Sequence, residues 1–229
     1  MRGVRRINGS RCRGASRKRS ELMATHRWLG ALAVGIVVAT SAAPAAAFCR
    51  TTTCNPKTET CRMVDGCPRT GAPVVWPTMP IPYRFGGRPP THLNGDEARG
   101  AIRLAFERWT QTVCPDGRRT SLRFHEGPDM PPSQARGKEP FGIYFRDDGW
   151  PHDDQNDTLA LTTQFFAART GEIQYSDIEI NTAQYQFALR DTDTGKDLEA
   201  VITHEVGHYI GFAHSPDPCL LYTSPSPRD

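Results

Sequence analysis

The sequence predicts an α+β fold: a twisted mixed β-sheet of about five strands, a backing helix, and a second helix that carries the functional site. Three observations lead there. Short runs of alternating apolar and polar residues recur from Ile81 to Asn181, Asn94 to Cys114 repeats apolar side chains at helical steps, and a second helical repeat from Asp197 to Tyr209 runs into closely spaced histidines. With 229 residues, the chain can form one sizeable core but not two comfortable ones.

The amino-terminal part reads as processing sequence. Residues 1–22 are rich in arginine and lack apolar periodicity, which would suit a basic nucleic-acid-binding arm; because a secretion signal begins at Met23, they are expected instead to be upstream sequence ahead of that start. From Met23, a basic start at His26 and Arg27, an apolar run from Trp28 to Ala39 and small residues at Ala45-Ala46-Ala47 form a signal peptide spanning 23–47. Pro44 and the small residues argue against reading Trp28–Ala47 as a membrane anchor, so no stable membrane insertion is expected after cleavage. Nine of the 28 basic residues and one of the 25 acidic ones lie in residues 1–47. The remaining 182 residues therefore hold 19 basic and 24 acidic groups, a net charge of −5 that gives no footing for nucleic acid.

Residues 48–77 form a cysteine-rich segment and linker. Cys49, Cys54, Cys61 and Cys67 crowd a stretch with little to pack, which predicts two or more disulfides in an oxidising compartment, extracellular or periplasmic. Their spacing contains no Cys-x-x-Cys pair, which disfavours a zinc knuckle. Cys114 is expected to pair with one of the four or with a cysteine outside this sequence. Pro68–Pro80 reads as a linker to the main body of the chain.

Within that body, 78–218, Ile81–Phe85 is the first strand, and Pro82 predicts that it lies at a sheet edge. Asn94 or Asp96 caps the first helix, and Ala98, Ile102, Phe106, Trp109 and Val113 form its core face. Pro115-Asp116-Gly117 closes it. Leu122–Phe124 and Ile143–Phe145 are the next strands. Asp147 to Asp157 offers many oxygen ligands that suit a structural Ca2+, though without an EF-hand register, and a solvated loop is the competing reading. Leu159–Thr163 and Ile173–Asn181 form a strand pair around a turn at Thr170-Gly171. Asp197 caps the last helix, whose buried stripe is Leu198, Val201, Ile202 and Val206.

That helix carries His204-Glu205-Val206-Gly207-His208-Tyr209-Ile210-Gly211-Phe212-Ala213-His214. His204 and His208 leave one face a turn apart, close enough to share one metal ion. Gly211 can adopt a positive φ and turn the chain so that His214 becomes a third ligand. Three neutral imidazoles with an open position describe a catalytic Zn2+ site, and Glu205 is placed to take a proton from water rather than to bind metal. Because the imidazoles must be neutral, activity is expected to fail in acid. Five fixed positions match by chance in such a chain with a probability on the order of 10⁻⁵, which decides against three unrelated histidines on a surface helix.

The pattern resembles the metzincin metallopeptidases, whose motif is His-Glu-x-x-His-x-x-Gly-x-x-His, and Ser215 after the third histidine is similar to the matrixin branch, of bacterial secreted type. The resemblance implies a secreted zinc endopeptidase acting on peptide or protein substrates, with metal ligands His204, His208 and His214 and general base Glu205. It further implies that Leu159–Thr163 is a cleft edge that pairs with substrate backbone. Animal members carry structural-zinc histidines on these strands; Leu161 and Tyr175–Asp177 supply none, so a second zinc is not implied. The family's latency motif is absent around Cys67, which favours a disulfide there.

A metzincin continues past the third histidine to a methionine turn. Here Ser215-Pro216-Asp217-Pro218 is followed by residues 219–229, which lack a methionine and any core pattern and are expected to be a non-native tail on an incomplete domain. The rival functional reading is a catalytically incompetent, disulfide-stapled secreted binding module in which zinc only holds the fold. Glu205 argues against it, since a purely structural site has no use for that carboxylate, while the missing methionine turn argues for it.

Overall fold

The computed structural model describes residues 49–114, 116–130, 141–152, 158–189 and 194–214. The expected leader, the tail after His214 and the Asp153–Asp157 part of the acidic loop lie outside these residues. In chain order the elements are β1 (Cys49–Arg50), β2 (Met63–Val64), β3 (Cys67–Pro68), β4 (Ile81–Gly86), α1 (Gly95–Thr110), β5 (Phe124–Glu126), β6 (Gly142–Phe145), β7 (Ala160–Phe166), β8 (Ile173–Ile180), β9 (Phe187–Ala188), β10 (Lys196–Asp197), α2 (Leu198–Tyr209) and β11 (Phe212–Ala213). The main sheet has five strands in the order β5-β4-β6-β8-β7. Its first four pair in parallel, and β7 runs antiparallel to β8 at one edge.

Alternation along β4 turns Ile81, Tyr83 and Phe85 into the core. They meet Ile102 and Phe106 of α1, and Leu198, Ile202, Val206 and Tyr209 of α2. Phe106 stacks on Tyr83 at 4.2 Å between ring centroids, and the Tyr209 hydroxyl donates to the Pro82 carbonyl at 2.7 Å. The two helices are joined by the Trp109 indole N–H, which donates to the Thr203 carbonyl at 2.9 Å. Asn94 caps α1, its Oδ1 accepting from the Asp96 and Glu97 N–H groups, and Asp197 caps α2 by accepting from the Ala200 N–H. Each cap satisfies otherwise unpaired first-turn donors, a contribution of about 1 kcal/mol.

The structure corrects several expectations. Strand β4 lies inside the sheet, not at its edge. Pro82 is tolerated there because pairing with β6 starts later, with the Arg84 N–H donating to the Phe141 carbonyl, so the missing donor has no acceptor waiting. Helix α1 ends at Thr110, short of Cys114. Val113 instead bridges Arg119 and is 54% exposed, because the turn at Gly117, with φ +80°, folds the chain back on itself. The second strand begins at Phe124 rather than Leu122, where its ladder with β4 starts at Ile81. Cys49–Cys67 and Cys54–Cys61 use up the four clustered cysteines, and Cys114 carries an exposed free thiol. Pro68–Pro80 is no loose linker: Val74 is fully buried, and the Val75 N–H donates to the Gly171 carbonyl at 3.0 Å. At the start of the acidic loop, His152 and Arg146 both engage the Glu179 carboxylate, closing a largely buried cluster. Among the described residues, no helix is long and apolar enough to cross a membrane.

Candidate metal centre

Helix α2 packs Leu198, Ile202 and Val206 inward, and this fixes the direction of the neighbouring face that bears His204 and His208. The helix ends where the Gly211 N–H bonds the His208 carbonyl at 2.7 Å and Gly211 takes φ +91°. The chain reverses through β11 and returns His214 to the same point. The three Nε2 atoms lie 3.2 Å (His204 to His208), 3.1 Å (His204 to His214) and 3.0 Å (His208 to His214) apart. Nitrogens sharing a tetrahedral zinc at ordinary bond lengths sit about 3.3 Å apart, so this donor set fits that ion. Among the described residues, these three side chains form the group able to hold a metal, and Glu205 is not part of it.

The ring orientation has its own support. His208 Nδ1 lies 2.8 Å from the Phe212 carbonyl, a geometry in which Nδ1–H donates and Nε2 keeps its lone pair for the metal. Burial lowers the His208 pKa to about 4, and burial also lowers that of His214, so both imidazoles favour the neutral form a metal requires.

Glu205 is 7% exposed. Burial raises its pKa to about 7, while a hydrogen bond from Thr162, whose hydroxyl lies 2.6 Å from Oε2, works in the opposite direction. Thr162 belongs to β7. Two residues along, on the same face, Gln164 donates from Nε2 to the His208 carbonyl at 2.6 Å. Asn181 N–H donates to the Leu159 carbonyl, so by alternation the peptide groups of Ala160, Thr162 and Gln164 point away from β8, toward the side on which β7 has no strand partner among the described residues. Strand β7 thus carries side-chain contacts to Glu205 and to the end of α2, and backbone groups that pair with no strand among the described residues. Sequence reading located the strand but missed Thr162 and Gln164; their i, i+2 spacing says only that they share a face.

The buried groups make opposed contributions to the stability of the metal-free protein. The raised Glu205 pKa favours folding below about pH 4.5, an advantage lost as pH rises through about 7. The lowered His208 pKa favours folding above about pH 6.5, an advantage lost as pH falls through about 4. Glu205→Gln removes the first contribution and keeps the second. Urea titrations of metal-free protein should therefore show wild type losing on the order of 3 kcal/mol relative to the variant between pH 4.5 and 7. A pH-independent difference would mean that the carboxyl is not held in its protonated form.

The sequence profile of the matrixin family matches residues 75–226. The hatching enzyme of Paracentrotus lividus is 30% identical over 159 residues, covering 69% of this chain and 24% of that protein. Matrix metalloproteinase-21 of Mus musculus is 32% identical over 149 residues, 64% of this chain and 23% of its own length. Metalloendoproteinase 1-MMP of Arabidopsis thaliana is 27% identical over 140 residues, 60% of this chain and 34% of its own. The chain thus spans about a quarter to a third of these relatives.

Proposed function

The chain belongs to the matrixin family, and from that premise we propose that it is a secreted zinc-dependent endopeptidase that hydrolyses extended peptide segments of protein substrates. The observation that carries this reading is the convergence of three Nε2 atoms within 3.2 Å of one another beside a buried carboxyl that does not join them. Zinc held by His204, His208 and His214 would supply Lewis acidity, lowering the pKa of a water and polarising a carbonyl. Glu205 takes the proton from the attacking water and delivers it to the leaving amine. Thr162 orients the carboxylate through Oε2. The open edge of β7 accepts the substrate as an added strand, recognising backbone rather than side chains. The two disulfides fit an exported protein.

Purified protein should cut carboxymethylated casein, lose that activity to 1,10-phenanthroline, and regain it when Zn2+ is restored in excess of the chelator. Zinc-loaded protein that leaves the substrate intact would favour the binding-module reading instead.

A further inference from the structure

The stapled segment before the catalytic body reaches the metal centre. Strand β1 pairs antiparallel with β11, placing Cys49 opposite Ala213 and Arg50 opposite Phe212. The Thr51 N–H donates to the Gly211 carbonyl at 2.9 Å, and the Val74 N–H donates to the Thr51 carbonyl at 2.8 Å. Arg50 Nη1 donates to the Ile210 carbonyl at the end of α2 at 2.7 Å, and its guanidinium lies 4.1 Å over the Phe212 ring. The Cys49–Cys67 disulfide anchors the strand that carries Arg50. Among the described residues, β1 is the strand partner of the two-residue β11, whose Phe212 also stacks on Trp109 of α1 at 5.4 Å between ring centroids.

Two ligands depend on β11. His214 follows it directly, and the Phe212 carbonyl sits 2.8 Å from His208 Nδ1. We infer that Arg50, locked by the Cys49–Cys67 disulfide, is a positioning residue for the metal centre: it holds β11 so that His214 converges with the helix ligands and His208 keeps Nε2 turned toward them. This rests on reading the three histidines as the metal site. The segment expected to be a linked appendage is then part of that site's support, and its oxidised state is coupled to metal retention.

The test uses the full chain as wild type, Arg50→Ala, Arg50→Lys and Cys49→Ser/Cys67→Ser, each checked for its native fold by near-ultraviolet circular dichroism without metal. Zinc affinity is read by competition with a chromophoric chelator, and ligand geometry by the visible absorption of bound Co2+. Arg50→Ala should bind zinc about 10- to 100-fold more weakly, the range seen when a group orienting a ligand is lost, and should weaken the visible Co2+ bands. Arg50→Lys should recover part of the affinity, because an ammonium can still donate to the Ile210 carbonyl. The double serine variant should shift affinity and spectrum in the same direction as Arg50→Ala, and it carries the comparison if Arg50→Ala does not fold. Wild-type zinc affinity and an unchanged Co2+ spectrum in the folded variants would overturn the inference. Failure of wild type to bind either ion would instead overturn the metal-centre reading, and the inference with it.

Discussion

Glu205→Gln is expected to leave zinc binding intact and to lower kcat by about 10²- to 10⁴-fold, the usual contribution of a general base. The reasoning is geometric before it is chemical. Glu205 stands outside the group of three converging imidazoles, so removing its charge takes no ligand away. Glutamine matches the shape of the buried side chain and can still accept the Thr162 hydroxyl through its carbonyl oxygen, so the helix face should not collapse. What it cannot do is accept a proton from water. Metal content by atomic emission and turnover on a quenched peptide, measured on one preparation, separate the two roles. Parallel loss of zinc and turnover would show that the carboxyl supports the ligands rather than the chemistry.

Gly211→Ala should destabilise the protein by about 2–5 kcal/mol and weaken zinc binding with it. Two costs combine. At φ +91° an L side chain is strained by about 1–2 kcal/mol, and a Cβ at this point would overlap the Val74 carbonyl oxygen and come within 2.9 Å of Arg50 Nη1. Relieving such an overlap costs about 1–3 kcal/mol, and the backbone that must move leads directly into β11 and His214. Gly87→Ala is the matched control, with φ +96° and nothing within 4 Å of the added carbon. Urea denaturation should place the control near the strain cost alone. Equal losses in the two variants would show that Val74 yields freely and that the close approach does not govern the turn.

These two glycines show where sequence reading stops. The histidine spacing called for a residue able to adopt positive φ at position 211, and that is a local requirement written in a few neighbouring residues. The close approach of Val74 is not local: it comes from a segment more than 130 residues earlier, in a proline-rich stretch whose composition reads as a linker. Pro82 teaches the same lesson from the other side. A proline in a strand argues for an edge only if its missing N–H would have faced a partner, and the start of β6 decides that.

By itself, then, the sequence determined the parts of this protein that depend on near neighbours. His204 and His208 share a face because a helix repeats every 3.6 residues. Asn94 and Asp197 cap because their side chains reach N–H groups two or three residues away, and β7 and β8 form because their alternation and the turn at Thr170-Gly171 lie in one stretch. Only the tertiary structure decided the cysteine pairing, the partners of Thr162 and Gln164, the burial that raises the Glu205 pKa to about 7, and the closure of β1 and Arg50 over β11. Each joins groups far apart in the chain. Periodicity shows which residues share a face, but hydrogen bonding and desolvation depend on what the folded chain brings against that face.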